Sequence, residues 1–184
     1  MPNAERSYER IDPVDLARLS DLATRDREEF FAQKPQMHQI YGARLIFVAL
    51  CQGAALHYVD GKTGVRDFDV WSFYSAHPEK ALPARRKRTV DFGPSKFGRH
   101  PADERFLGRR VDLFLRSIPS RPEASAIESL RAYLSLAATQ SAKELSKKAV
   151  VLIDPHHLRG QVVWPLLSPN STGAPFNRRY IEVD

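Results

Sequence analysis

The amino-acid sequence predicts an α/β (α+β) fold in which a mixed β-sheet is flanked by helices. The chain has 184 residues, 42% of them hydrophobic, which suits one compact domain over residues 1–184. Short apolar runs of strand length alternate along the chain with stretches whose apolar residues recur at helical spacing. The longest apolar run, residues 45–51, is far shorter than the roughly 20 residues that cross a bilayer. We therefore expect no membrane partner.

One helix and two strands are the main elements predicted in the first half of the chain. Residues 12–34 carry apolar side chains at three- and four-residue spacings, aspartates that can cap the start, and a Lys-Pro pair that should end the helix. The apolar, β-branched and aromatic run 43–52 is typical of a buried strand. Residues 53–62 are expected to form one or two helical turns before a second strand, residues 64–74.

The second half of the chain is predicted to hold four further strands, one helix and a tail. In chain order the strands cover residues 89–93, 109–118, 149–155 and 160–165. The last two are separated by a short turn and should form a hairpin, followed by an extended tail, so that hairpin and tail occupy residues 149–184. A helical stripe of apolar residues runs from Pro122 through Thr139. Residues 141–148 are expected to add one or two further helical turns, and the remaining segments to be loops.

The charge and the cysteine content bear on the partners and the compartment of the protein. The formal net charge is +6, and basic residues are concentrated in residues 84–110. Such charge favours polyanionic partners, with a solubilising surface as the alternative explanation. Cys51 is the only cysteine and lies in an apolar run, so we expect a buried thiol, no internal disulfide and a reducing compartment. The charged N-terminal residues lack the apolar core of a signal peptide, and the predicted location is cytoplasmic.

Two aspartates one residue apart mark the second predicted strand, GVRDFDVWSFY. Because side chains alternate across a strand, Asp67 and Asp69 point to the same face, where their like charges repel each other. In a purely structural arrangement, the aspartates would form salt bridges across the sheet with Arg66, Arg109 or Arg110. The functional explanation is a pair of Mg²⁺ ions about 4 Å apart, which assist the displacement of one phosphate oxygen by another. Such a site needs a third carboxylate, for which Asp112 is the first candidate and Asp91 the second.

The order of these motifs resembles that of the polymerase-β-type nucleotidyltransferase superfamily. An apolar strand with a glycine and a small residue after it is followed by Asp-apolar-Asp-apolar and later by apolar-Asp-apolar. The three segments that carry the resemblance are LIFVALCQGA, RDFDVW and RVDLF. The resemblance covers about residues 43–117 and implies a mixed sheet flanked by helices.

The resemblance also implies roles for individual residues. Asp67 and Asp69 would bridge two metal ions, Mg²⁺ or Mn²⁺, and Asp112 would bind the catalytic ion. The glycine turn and the helix after it would hold the triphosphate of an incoming NTP through backbone N–H groups, which are suited to anions. The family usually has Gly-Gly or Gly-Ser at this turn. This chain has Gly53-Ala54, which keeps the backbone donors and lacks the hydroxyl.

Basic residues in the centre of the chain are candidate phosphate clamps. The segment DFGPSKFGRHP, residues 91–101, has two Phe-Gly pairs around a serine and a lysine. Glycine permits a close approach of the backbone and lysine supplies a point charge, so Lys96, Arg99 and His100 are candidate phosphate ligands. Arg110, beside the third aspartate, is a further candidate. An ordinary connecting loop explains the segment equally well.

These features lead to one principal hypothesis and two alternatives. The principal hypothesis is an enzyme that transfers a nucleotidyl group from an NTP to a hydroxyl of nucleic acid, protein or a small molecule. Mg²⁺ or Mn²⁺ would be its cofactor, and Asp112 would help to deprotonate the acceptor. The first alternative is a catalytically inactive module of the same fold that binds nucleic acid or a protein partner, which Ala54 and the positive charge favour. The second is a metal-dependent nuclease, since acidic pairs beside a lysine also cleave phosphodiesters.

Overall fold

A mixed sheet organises the chain in a computed structural model that describes residues 5–83 and 87–166. The strands of this sheet are β1 (Leu45–Cys51), β2 (Phe68–Ser75), β3 (Lys87–Asp91), β4 (Arg110–Ile118), β5 (Ala149–Asp154) and β6 (Val162–Trp164). The α-helices of the described part are α1 (Pro13–Gln33), α2 (Pro35–Tyr41), α3 (Gln52–Asp60), α4 (Ala126–Leu136) and α5 (Gln140–Ser146). A 3₁₀ turn, His156–Leu158, joins the last two strands. The predicted α+β fold class is therefore confirmed.

The spatial order of the strands, β3-β4-β2-β1-β5-β6, differs from their order in the chain. β2 and β4 are parallel neighbours, whereas every other neighbouring pair in the described sheet is antiparallel. α3 connects the central strands β1 and β2. Since β1 and β2 are antiparallel, the C-terminal end of β1 lies beside the N-terminal ends of β2 and β4. The start of α3 therefore lies at that end of the sheet.

Helices pack on the sheet because its side chains alternate between two apolar clusters. On one face, Leu50 and Val70 are buried against residues of α1 and α3. On the other face, Ala49 and Phe73 are buried against residues of α4 and α5. This alternation follows directly from the two-residue period of a strand. Within residues 5–83 and 87–166, no helix combines the length and the apolar character needed to cross a membrane.

Capping residues determine where the first and the fourth helix begin. Asp12 and Asp15 form a capping box at the start of α1, each carboxylate accepting a hydrogen bond from the backbone N–H of the other residue. Ser125 and Glu128 form the same arrangement at the start of α4. The fourth helix therefore begins later than the predicted Pro122, because the box supplies the partners that the first helical N–H groups need.

Several boundaries differ from the sequence prediction, and β2 in particular begins at Phe68 and not at residue 64. The Lys-Pro pair ends α1 as expected, but Pro35 also starts α2, since its fixed φ and missing N–H are tolerated at a first helical position. The helical stripe predicted through Thr139 ends earlier, at Leu136, because Ala137 has a left-handed φ of 45° and terminates α4, and α5 starts at Gln140. β3 starts two residues earlier than the predicted strand 89–93 and ends two residues earlier. The predicted tail beyond residue 166 lies outside the described residues.

Candidate functional site

The pairing of β2 with β4 brings the predicted carboxylates together. Asp69 lies directly opposite Asp112 in the parallel register, and Asp67 lies just before the first residue of β2. Nη2 of Arg110 lies 3.0 Å from Oδ2 of Asp67 and 3.3 Å from Oδ2 of Asp112. Three carboxylates and one guanidinium group are thus close neighbours. We refer to Asp67, Asp69 and Asp112 as the carboxylate cluster.

Asp112 is the most deeply buried member of the carboxylate cluster, with 3% of its surface exposed. Its Oδ1 accepts a hydrogen bond of 2.7 Å from the hydroxyl of Thr89, and its Oδ2 lies 2.9 Å from Nζ of Lys87. Both partners belong to the edge strand β3. Together with Arg110 they satisfy the carboxylate, as a buried charge requires.

Asp69 is the member of the carboxylate cluster that has no such partner. No hydrogen bond or ion pair joins its side chain to another residue within the described ranges. Burial, and then the charges of Asp67 and Asp112, raise the pKa of Asp69 to about 7, against the opposing effect of Lys87 and Lys148. The cluster therefore carries negative charge that the neighbouring cations do not fully compensate.

The first turn of α3 lies at the same end of the sheet as the carboxylate cluster. β1 ends at Cys51, opposite Asp69, and α3 begins at the next residue. No side chain caps α3, so the first backbone N–H groups, including those of Gly53 and Ala54, have no capping partner. Nζ of Lys148 lies 3.9 Å from the position that a Cβ of Gly53 would occupy. A helix start and an ammonium group that face each other are suited to an anion.

A cleft of about 340 Å³ is formed by the start of α3 and the carboxylates of β2. Gly53, Ala54 and two members of the carboxylate cluster line it, which are four of the residues predicted from the sequence. Arg6, Arg66 and Lys148 add positive charge to the lining, and the sequence analysis missed all three as site residues. Arg6 and Lys148 come from segments far from the carboxylates in the chain, and no local pattern identifies them, whereas Arg66 directly precedes Asp67.

Two stacked aromatic rings complete the lining of the cleft. Trp71 and Phe114 follow Asp69 and Asp112 by two positions on β2 and β4, so they point to the same face as the carboxylates. Their ring centroids are 4.5 Å apart and their planes differ by 15°. We refer to Trp71 and Phe114 as the aromatic pair.

Lys96 and Arg99, both predicted to bind phosphate, are not among the residues that line the cleft. Nζ of Lys96 lies 2.7 Å from Asp12 and 2.8 Å from Asp15, so it fastens its loop to the start of α1. Arg99 donates hydrogen bonds of 2.8 and 3.0 Å to two backbone carbonyls five and seven residues later in the chain. The contacts described for both side chains are thus those of a connecting loop, which was the alternative explanation.

The other candidates of the central segment have structural partners as well. Asp91, the second candidate for a third carboxylate, accepts hydrogen bonds of 2.7–2.9 Å from three backbone N–H groups of its own loop. His100 is buried, and its Nδ1 accepts a hydrogen bond from a backbone N–H two residues later. Arg110 is the predicted phosphate clamp that does reach the cluster, but there it binds the carboxylates.

The cations at the carboxylate cluster are protein side chains. In the part of the chain that the structure describes, no group of three or more His, Cys, Asp or Glu side chains is arranged to hold a metal ion. Arg110 binds two of the three aspartates, and Lys87 binds one. A divalent cation shared by all three aspartates would therefore require Arg110 to move.

Comparisons with known proteins do not assign the chain to a family. No family model, curated protein or solved structure matches it.

Proposed function

We propose that the cleft is the site of a metal-dependent nucleotidyl transfer, in which the nucleotidyl group of an NTP passes to a hydroxyl of an acceptor. The observation that carries this proposal is the juxtaposition of carboxylates and helix start in one cleft. Asp69 lies opposite Asp112 in the register, Asp67 is two residues away, and the uncapped start of α3 is adjacent. A site for this reaction needs an anion-binding element and oxygen ligands for cations within one small volume.

The carboxylate cluster supplies the donor type that a divalent cation prefers, although its three side chains are not arranged around a common ion position while Arg110 binds two of them. Mg²⁺ and Mn²⁺ prefer hard oxygen donors, which three aspartates supply. The raised pKa of Asp69 reflects negative charge that such a cation would neutralise. Asp67 and Asp69, with Asp112 after displacement of Arg110, would hold the cations. When bound, they would stabilise the charge that develops on the phosphate and acidify the attacking hydroxyl.

The residues around the helix start would hold the triphosphate. Backbone N–H groups of Gly53 and Ala54 would donate to phosphate oxygens, and Lys148 and Arg66 would add positive charge.

In the transfer, the acceptor oxygen bonds to the α-phosphorus while the bond from the α-phosphorus to the bridging oxygen breaks. Pyrophosphate leaves with that electron pair, and the hydroxyl proton passes to a carboxylate oxygen of Asp69, which lines the cleft and has no partner in the described part of the chain. Asp112, the base predicted from the sequence, does not line the cleft, and both of its oxygens are bound by side chains of β3 and by Arg110.

Incubation with each labelled NTP, with and without Mn²⁺, tests the proposal. We expect label on nucleic acid, on added protein or on the chain itself, and a loss of about 100-fold or more in Asp69→Asn. Asp21→Asn is the matched control, because Asp21 is an exposed carboxylate on α1 and does not line the cleft. Label transfer that survives in Asp69→Asn would place the reaction elsewhere. Absence of label from every NTP would reject the activity.

A catalytically inactive module that binds nucleic acid is the second candidate, and the ion pairs of Arg110 favour it. In such a module Arg110 would keep the carboxylates neutralised permanently, and the positive charge of the cleft would bind phosphates. Asp69→Asn would then leave nucleic-acid affinity intact, and the affinity would fall steeply with salt. Cleavage of plain nucleic acid without any NTP would instead indicate the nuclease alternative.

A further inference from the structure

The carboxylate cluster lies between the start of α3 and the aromatic pair. Cys51 is opposite Asp69, so α3 starts on the Asp67 side of the cluster, whereas Trp71 is opposite Ala49 on the other side. Two residues along a strand cover about 6.6 Å. The aromatic pair is therefore one such step from the carboxylates, in the direction away from the helix start.

The aromatic pair has features of a binding surface as well as of a core contact. Phe114 is half-buried, and both rings line the cleft. Trp71 is only 9% exposed, yet its indole Nε1 has no hydrogen-bond partner within the described ranges. A buried N–H group without a partner is unfavourable and rare in native proteins, and an ordered water or a polar group of a ligand would satisfy it. The rest of the Trp71 ring is well packed, which fixes the orientation of the pair.

We propose that the aromatic pair binds a nucleobase of the acceptor, so that the acceptor is a nucleic-acid strand. The assignment to the acceptor rests on the proposed function. In nucleotidyl transfer, the attacking oxygen and the leaving pyrophosphate lie roughly in line on opposite sides of the phosphorus. With the triphosphate at the start of α3, the acceptor must approach from the side of the aromatic pair.

The charge of the cleft favours a nucleic-acid acceptor over an aromatic side chain of a protein. Arg66 and Lys148 are assigned to the triphosphate, so the positive charge available to an acceptor is that of Arg6, which also lines the cleft, and the net charge of +6 of the chain. Stacking of bases on aromatic side chains beside a basic groove is the usual way in which proteins bind single-stranded nucleic acid. Basic residues contribute to the binding of the phosphates, and the rings contribute to the binding of the bases.

Tryptophan fluorescence tests this inference without requiring catalysis. The chain has two tryptophans, and the indole N–H of Trp164 donates to the carbonyl of Ser146 outside the cleft lining. Trp164→Phe therefore leaves Trp71 as the reporter. A short single-stranded oligonucleotide is titrated into this protein, in parallel with an abasic oligonucleotide of equal length and with inorganic triphosphate. We expect the base-bearing oligonucleotide to quench Trp71 and to bind about 5- to 150-fold more tightly than the abasic one, as stacking of one base implies.

Two substitutions of Phe114 in the Trp164→Phe protein distinguish a loss of base stacking from a loss of folding. Phe114→Leu should weaken oligonucleotide binding by about the same factor, and Phe114→Tyr, which keeps the ring, should preserve it. Circular dichroism checks that the variants are folded. If the leucine variant does not fold, the comparison of base-bearing with abasic oligonucleotides still tests whether a base binds to the aromatic pair.

The outcomes that overturn the inference are distinct from those that overturn the proposed function. Equal affinity for both oligonucleotides, or unchanged affinity in folded Phe114→Leu, removes the aromatic pair as a base-binding surface. Quenching by an NTP but not by the oligonucleotide assigns the pair to the incoming nucleotide, and quenching by a tyrosine-containing peptide alone assigns it to a protein acceptor. Quenching by the oligonucleotide without any label transfer would reject the enzyme and retain a base-binding surface.

Discussion

Replacement of Asp69 with asparagine should stabilise the protein at pH 8, although Asp69 lies in the proposed active site. Burial and the neighbouring carboxylates raise its pKa from the ordinary 3.8 to about 7. One pKa unit corresponds to about 1.36 kcal/mol, so ionised Asp69 disfavours the folded state by at most about 4 kcal/mol relative to the unfolded chain. Asparagine has nearly the same shape and no charge. We expect a gain of about 1–4 kcal/mol in the free energy of unfolding, the upper value applying if no neighbour relaxes.

The same shift gives the sign of the pH dependence. Because the folded-state pKa of Asp69 is raised, its contribution to stability is fully present below the unfolded value near 3.8 and is lost as the pH rises through about 7. Wild-type protein should lose this contribution over that interval, and Asp69→Asn should not. The difference in stability between the two proteins should be small near pH 4 and reach its full value above pH 7.

Urea unfolding followed by circular dichroism at pH 4.5, 6 and 8, without divalent cations, measures this difference. In thermal melts, the Tm of a chain of this size should rise by about 2–4 °C for each kcal/mol gained in the free energy of unfolding. Asp21→Asn, an exposed carboxylate on α1, should change the stability little at any pH. If Asp69→Asn is no more stable than wild type at pH 8, or if the difference does not grow with pH, the charge of Asp69 is compensated and the reasoning is wrong.

Three further predictions follow from single side chains. Lys148→Met should weaken the binding of inorganic triphosphate about tenfold in calorimetric titration, because Lys148 faces the start of α3. Lys147→Met, which removes an exposed lysine, should leave the affinity unchanged. Equal effects of the two substitutions would contradict the proposed phosphate site. Arg110→Met should raise the affinity for Mn²⁺ in calorimetric titration, because it removes a competing cation from two carboxylates. An unchanged affinity would show that the metal ion and the guanidinium group do not compete. Cys51 should resist a thiol reagent until urea unfolds the chain, because the thiol is buried and burial raises its pKa; rapid labelling of native protein would contradict this.

The strands that carry the carboxylate cluster could be predicted because they depend on local patterns. The apolar runs identify β1, β2 and β4 as buried strands, and the two-residue period of a strand places Asp67 and Asp69 on one face. The same period explains why Arg110 lies beside a carboxylate. Arg110 precedes Asp112 by two residues, so in the parallel register it is directed toward Asp67, which precedes Asp69 by two. This ion pair agrees with the structural alternative, in which an arginine across the sheet neutralises the aspartates, and a phosphate bound by Arg110 would have to compete with Asp67.

The basic residues of the cleft could not be predicted, because they depend on tertiary contacts between distant segments. Arg6 and Lys148 lie near opposite ends of the described chain, and nothing in their local sequence distinguishes them from other exposed lysines and arginines. Lys96 illustrates the opposite case. Its glycine-rich surroundings suggested a phosphate loop, but the capping carboxylates of α1 are its nearest partners in the fold. Charge alone cannot choose between an internal partner and a ligand.

The carboxylate of Asp69, which has no partner among the described residues, distinguishes the proposed catalytic site from a structural cluster in which every carboxylate is ion-paired. In a cluster that served only the sheet, every carboxylate would have a partner, as Asp67 and Asp112 have in Arg110. Uncompensated charge that lowers stability is typical of functional sites. A bound divalent cation would reverse its effect, because the ionised carboxylate would then gain a ligand bond that asparagine cannot match. Saturating Mn²⁺ at pH 8 should therefore make wild type more stable than Asp69→Asn, and an unchanged advantage of the asparagine variant would favour the inactive module.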